Sequence, residues 1–502
     1  MIKNSLNRDV PNHPFNGVHP IQPQSFPVSK HITKKDKLYS NLSDVLKILD
    51  LKDGSVLSFH HHLRNGDEVM NRVMLEVAQL GIKNITLVAS SIFEVHQPLV
   101  QLVKDNIITK IITAYVAGPV AQAISEGECK ETCLIHSHGY RAYMIASKEV
   151  EIDVAFIGAP CSSSLGDCSG SEGPSACGSL GYAVADAMYA KQVVVLSDHI
   201  HEPKHIQIKK EWVDYVVQVD RLGDPKGIVS GTTTITKDPV GLQIAKMTLK
   251  VMEATGYLKN GFSFQTGAGG ISLAVAKDVL HYCQENKIKG SFISGGITGY
   301  QVELLEAGIF EKIMDVQCFD LKAVQSMHEN PKHHRISADE YAGPTNPDNV
   351  VNKLDIVILG ATEIDLDYNV NVTTGSDGVL MGGSGGHCDT AAGAKFTIIV
   401  SKLVSSRISV VVDKVLTVTT PYESIDALIT DRGIAIHPRH ETLIRQLKET
   451  TKLPLKTIEE LYEIALSLTG KPEPIQFEEQ EVALSLYRDG TVLDVIRKVK
   501  NE

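Results

Sequence analysis

Two short stretches hold residue types that could bind an anion. The first is His60, His61 and His62 with Arg64 and Asn65 beside them; the second is His136, Ser137, His138 and Gly139, followed by Arg141. An arginine offers a planar fork and histidines offer further donors, so each stretch suits a carboxylate, and the pair predicts a small polyanionic substrate. A metal reading of the three histidines is disfavoured, because consecutive residues on an extended chain point to alternate sides and do not converge on one ion.

A different chemistry is written in glycine. Residues Gly267, Ala268, Gly269 and Gly270 follow an apolar run and precede a helix-spaced pattern of Leu273, Val275, Val279 and Leu280. Glycine lets the backbone come close to a ligand and aim N–H groups at a developing oxyanion, and a following helix N-terminus adds positive potential. The plain alternative is a tight turn and nothing more. A dinucleotide fingerprint is disfavoured: its third glycine would fall on Ser272, and no acidic residue ends the next strand. A second glycine set, Gly295, Gly296 and Gly299, ends that strand. A third, Gly382, Gly383, Ser384, Gly385 and Gly386, follows the acidic Glu363, Asp365 and Asp367.

These stretches need strand ends to carry them, and the apolar pattern supplies the strands. Strands are expected over 55–59, 85–89, 132–135, 153–160, 193–198 and 212–219, with helical spacing between several of them, which is a βαβ pattern and predicts parallel sheets. Further strands are expected over 261–266, 290–294, 353–360, 410–418 and 434–436, and a helical tail from residue 457. The fold class expected is α/β, with two open parallel-sheet domains. A Thr/Gly-rich stretch over 230–239 sets the boundary, giving an extended arm at 1–40, a first domain at 41–235 and a second at 236–502. The arm is punctuated by Pro11, Pro14, Pro20, Pro23 and Pro27 and is expected to wrap a neighbour. The Ser/Gly-dense loop over 161–181 is long enough to suggest a functional role.

With 502 residues and a net charge of −11, the chain has ample core, and its charge argues against nucleic acid or an anionic membrane as general partners. No run is apolar and long enough for a membrane span or a secretory leader, so a cytoplasmic protein is expected. The eight cysteines form no CxxC pair, and Cys161, Cys168 and Cys177 are expected to be reduced, structural thiols.

Six segments together resemble one family. They are SFHHHLRNGD at 58–67, IHSHGYR at 135–141, IDVAFIGAP at 152–160, GPSACGSLGYA at 173–183, FSFQTGAGGISLAVA at 262–276 and GGSGGHCDTAAGAK at 382–395. In this order they are similar to the alpha subunits of citrate lyase, within the CoA-transferases, from about residue 40 to the end. The resemblance implies transfer of an acyl-carrier thiol, or CoA, from an acetyl thioester to citrate, giving citryl thioester and acetate. It also implies a homo-oligomer within a larger complex, with a carrier-protein (gamma) subunit and a citryl lyase (beta) subunit as partners. The CoA-like prosthetic group would sit on the carrier, leaving no covalent cofactor and no metal here. On this reading His60, His61, His62, Arg64, His136, His138, Arg141, Gly295 and Gly296 bind substrate, residues 267–270 form an oxyanion loop, and Gly383, Ser384, Gly385 and Gly386 hold the pantetheine.

In related transferases and hydrolases the strand after the GxGG helix ends in a glutamate that forms a covalent thioester. Aligned on VELLEAG at 302–308, this chain has Gly295 there. A ternary complex is therefore expected, in which a citrate carboxylate attacks the acetyl thioester and an acetyl-citrate anhydride forms. Glu363 is the alternative nucleophile. An acetyl-CoA hydrolase, a citramalate CoA-transferase and a non-catalytic scaffold are the rival functions.

Overall fold

The computed structural model describes residues 1–29, 36–229 and 233–500. Part of the expected arm and part of the expected boundary stretch, 30–35 and 230–232, lie outside them. Two large sheets dominate. The first has ten strands, in the spatial order Val492–Val499, Phe477–Leu486, Cys133–Ile135, Ile108–Thr113, Ile85–Ala89, Val56–Phe59, Val154–Gly158, Gln192–Ser197, Tyr215–Gln218 and Leu38–Tyr39. All neighbours are parallel except the first pair. The second has eight, in the order His333–Arg335, Phe310–Cys318, Gly290–Ile297, Ser263–Thr266, Ile356–Leu359, Phe396–Val400, Ala427–Thr430 and Gly433–Ile436, antiparallel only at its last pair.

The central strands are buried on both faces, as parallel strands covered by helices must be, and they read as continuous apolar runs: Val154–Gly158 and Phe396–Val400 have no exposed residue. Between strands the helices start on ordinary capping chemistry. Asp238 caps Pro239–Ala254 by accepting from the N–H groups of Val240 and Gly241, with proline at the first helical position.

The structure departs from the expected plan at both ends of the chain. The tail is helical only over Ile458–Thr469; residues beyond it form the hairpin Phe477–Leu486 and Val492–Val499, which pairs with Cys133–Ile135 and so belongs to the first sheet. A division at residue 235 therefore cuts across that sheet. The helical period does not continue into the hairpin, whose buried residues are contiguous over 482–486 and 492–496. The described part of the arm packs on its own chain: Phe15 is fully buried edge-on to Tyr487, and Asn4 donates to the carbonyls of Val492 and Leu493.

Candidate active site

In each sheet the strand order reverses at one central strand, with the next strand of the chain on one side and a later one on the other, and this is where open α/β sheets leave a crevice at the strand ends. In the first sheet the strand is Val56–Phe59, flanked by Ile85–Ala89 and Val154–Gly158; in the second it is Ser263–Thr266, flanked by Gly290–Ile297 and Ile356–Leu359. The loops leaving these two strands are the histidine loop and the 267–270 glycine turn. They meet at one cavity of about 460 Å³. Clefts of about 1020 and 720 Å³ lie elsewhere, but neither touches these loops.

The two halves are stitched together around this cavity. Gln317 donates to the His61 carbonyl at 2.8 Å, the His138 N–H donates to the Gly385 carbonyl at 2.7 Å, and the Gly385 N–H donates to the Ala114 carbonyl at 3.0 Å. Asp389 accepts from the Ser137 hydroxyl and the Gly139 N–H, both at 2.9 Å, and burial pushes its carboxyl up to about 6. The third glycine cluster is small because it must be: a Cβ on Gly383 would lie 2.4 Å from the Ala114 carbonyl oxygen, and one on Gly386 2.7 Å from the Tyr341 hydroxyl.

Of the expected site residues, His61, Arg64, His138, Gly267, Ala268, Gly269, Gly296, Gly383, Ser384, Gly385 and Gly386 line the cavity. His61 stacks on Tyr182 at 4.9 Å, and its Nδ1 shares a hydrogen bond with the Ser90 hydroxyl. Burial, then the nearby His138 and Arg64, push its imidazole well below the usual range. Burial likewise brings His138 down to about 3, so both rings are neutral donors or acceptors near pH 7. The Arg64 guanidinium lies 4.0 Å from the centre of the Phe319 ring and 5.7 Å from that of Phe93, a cation held by aromatic faces. Burial brings it down to about 10, which leaves it charged.

The others point elsewhere. Arg141 is fully buried and spends its guanidinium on Asp186 at 2.8 Å and on the Ser58 hydroxyl at 2.9 Å. His60 bonds the Gly158 carbonyl, His62 faces Asp67 at 3.6 Å, and the Nδ1 of His136 bonds the Ser137 carbonyl. The physical reason is the alternation of an extended chain, which sends only His61 of the three into the cavity. Gly270 starts the helix Gly270–Asn286, where a Cβ would lie 3.0 Å from the Thr234 carbonyl oxygen. Gly295 sits at a bulge in Gly290–Ile297 with φ of 110°, and a Cβ there would lie 2.9 Å from the Gln265 amide. Glu363 is a buried structural carboxylate, accepting from Asn371 at 2.9 Å and from the Leu416 N–H at 3.0 Å, and it does not line the cavity.

The site also uses residues that the sequence reading passed over: Tyr115, Tyr182, Gln265, Gln317, Phe319, Tyr341 and His387. The available signal was a neutral amide inside a buried strand, as in FSFQT and DVQC, where an apolar residue would cost less. None of the described residues lining the cavity is Asp, Glu, Cys or Lys. One cluster of metal-ligand types exists among the described residues, Asp315, Cys318 and His333, all buried. Its members bond one another, His333 to Asp315 at 2.9 Å and the Cys318 thiol to the same oxygen at 3.0 Å. Cys161, Cys168 and Cys177 are free and buried.

Comparison with known proteins bears on this geometry. The family model described as citrate lyase, alpha subunit, matches residues 35–499. The citrate lyase alpha chain of Haemophilus influenzae is 46% identical over 97% of this chain and 98% of its own length. That of Klebsiella pneumoniae is 45% identical over 97% and 96%. A crystal structure described as the alpha subunit of citrate lyase in complex with citrate, from Streptococcus mutans, is similar with a TM-score of 0.96 and 45% identity, covering 99% of this chain and all of that one. A Pseudomonas malonate decarboxylase hetero-tetramer shares the fold at a TM-score of 0.66 and 16% identity, over 87% of this chain and 95% of that chain.

Proposed function

Since the chain belongs to the citrate lyase alpha-subunit family, with its citrate CoA-transferase activity, we propose that both acyl groups are exchanged in one ternary complex without a covalent enzyme thioester. The observation that carries this is the cavity lining: the described residues around it offer neutral donors, one arginine and glycine backbone, and no carboxylate, thiol or amine to act as nucleophile. Citrate supplies the nucleophile itself.

A citrate carboxylate, oriented by Arg64, His61 and His138, attacks the carbonyl carbon of the acetyl thioester. The thiolate leaves, an acetyl-citrate anhydride forms, and the same thiolate then attacks the citryl carbonyl, releasing acetate. The enzyme contributes proximity, worth roughly 7–11 kcal/mol, and N–H groups from 267–269 for the oxyanion, worth roughly 3–4 kcal/mol per donor. The tight 383–386 turn holds the pantetheine chain at the far wall. The thiol arrives on a carrier-protein subunit or as CoA, and the citryl product passes to a lyase subunit of the same complex. We read the protein as cytoplasmic; among the described residues no helix is long and apolar enough to cross a membrane.

A single turnover with citrate labelled with ¹⁸O in its carboxylates tests the scheme. Direct attack carries one citrate oxygen into the first acetate released. Unlabelled first-turnover acetate, with label in an enzyme carboxylate, would mean a covalent enzyme intermediate and sink the proposal. Acetate release without citrate would make the protein a hydrolase.

A further inference from the structure

Tyr341 is three per cent exposed, yet it lines the cavity, reaching it from the short helix Ala338–Ala342 that packs between the two halves. Its hydroxyl lies against Gly386, where any side chain would collide with it. On its other side it meets a buried polar chain: Gln265 Nε2 donates to the Tyr341 oxygen at 2.8 Å, and Gln265 Oε1 accepts from the Ser294 hydroxyl at 2.9 Å. With its oxygen already serving as acceptor for Gln265, the tyrosine has one O–H left to give. The cavity that Tyr341 lines is open to an acceptor for it.

The direction of the chain follows from burial. Reversing the Gln265 amide would turn the Tyr341 proton inward and leave Ser294, one per cent exposed at the back of the strand, with a hydroxyl proton and nothing to receive it. An anion in the cavity rewards the forward direction, in which Ser294, Gln265 and Tyr341 donate in sequence and each bond strengthens the next. The chain also occupies a telling position. The Gln265 amide fills the space into which a side chain on Gly295 would grow. A neutral donor relay stands where a residue-295 side chain would otherwise enter.

We propose that Tyr341, aligned by Gln265 and Ser294, is a catalytic hydrogen-bond donor to the carbonyl oxygen of the thioester undergoing attack. The inference rests on the ternary-complex reading above. As the citrate carboxylate oxygen bonds to the carbonyl carbon, the π pair moves onto the carbonyl oxygen and Tyr341 O–H bonds to it. When the carbon–sulfur bond breaks, the pair returns, the sulfur leaves as thiolate, and the phenol keeps its proton throughout. Burial holds that phenol well above its usual range, so it stays protonated across the working pH.

The test compares wild type, Tyr341→Phe and Gln265→Leu with acetyl-CoA and citrate, following citryl-CoA, with citrate affinity measured separately by calorimetry. Loss of one oxyanion donor lowers kcat by about 10²–10³-fold in Tyr341→Phe, with citrate affinity and thermal midpoint near wild type. Gln265→Leu falls less, because the donor remains but loses its alignment. Fluorotyrosines placed at 341 then distinguish chemistry from packing: at a pH where the phenol is still protonated, kcat tracks its acidity. A Tyr341→Phe enzyme within threefold of wild type, or fluorotyrosine variants with no trend, overturns the assignment. Wild type that makes no citryl-CoA would instead refute the transferase reading itself.

Discussion

The two strand-end crevices that meet at the cavity are built from different materials. The first half brings two histidines, one arginine and the phenols of Tyr115 and Tyr182, and the second brings glycines, the amides of Gln265 and Gln317, the Tyr341 phenol and His387. Yet most of the titratable residues of the first half never reach the substrate space: Arg141 is tied to Asp186, His62 faces Asp67 and His60 holds the Gly158 carbonyl. Glycines of the second half do reach it, and two of them, Gly267 and Gly269, do so without crowding. A Cβ on Gly267 would meet nothing closer than the Ile358 carbonyl oxygen at 3.6 Å, and one on Gly269 nothing closer than the Ser272 hydroxyl at 3.8 Å. Protein packing does not demand glycine at either position, and both leave the backbone open to an approaching group. Several ionisable groups here hold the walls, while the backbone of the 267–269 turn lies open to the cavity.

Acid should attack the architecture around the cavity, on both sides of it, before the chemistry. Burial holds His60, His136 and His138 near 3 and His387 near 4, against about 6.5 for an exposed imidazole. Between pH 6.5 and 4 the unfolded chain binds more protons than the native one, so stability is full above 6.5 and falls as pH drops. Each imidazole contributes up to about 1.4 kcal/mol per pH unit. Asp389, raised to about 6, works in the opposite direction between its unfolded and folded values and offsets one of the four. Urea midpoints should fall steeply from pH 7 to pH 5; a flat profile would mean that these rings are not held neutral.

A second break in the comparison is Arg141→Ala. It strands the buried Asp186 carboxylate and should cost about 3–5 kcal/mol of stability. The measurement is a denaturation curve alongside kcat per folded molecule. A variant of wild-type stability that fails only to bind citrate would return Arg141 to the substrate.

The third and smallest contrast lies between two glycines of the second half. Gly296→Ala places a methyl group 2.1 Å from the Phe319 ring, on which Arg64 rests, and should cost about 1–3 kcal/mol of stability as well as citrate affinity. Gly267→Ala should fold as wild type does and lose activity, by about tenfold or more, through displacement of the approaching carbonyl. Equal activity losses at unchanged stability in both would erase the distinction.

Many of the strands were legible because buried parallel strands leave continuous apolar runs, but Ile108–Thr113, Phe310–Cys318, Phe396–Val400 and Ala427–Thr430 were not among those expected, and the expected strand over 410–418 shrinks to Val411–Val412 outside both large sheets. The glycine turns were legible because backbone demands fix residue type directly. Side-chain direction was not: HHH at 60–62 reads as three donors, and only the pleat decides that His61 alone turns inward. Gln265, Gln317 and Tyr341 were hidden for a related reason, since a neutral polar residue signals nothing until its partner, tens of residues away or in the other half, is known. The C-terminal hairpin was missed because strand pairing between residues 133–135 and 483–485 is a contact across 350 positions that no local pattern records.

That hairpin sets the order in which the protein can be completed during synthesis. Until residues 477–499 have left the ribosome, the strand Cys133–Ile135 is the uncovered edge of the first sheet, with unpaired backbone groups open to any passing strand. The whole second sheet is made during that interval. The first half thus waits, nearly folded, for the last strands translated, and a polypeptide ending at residue 235 would keep that adhesive edge permanently. The chain closes as a loop, and a cut at residue 235 would part the first sheet from its last two strands.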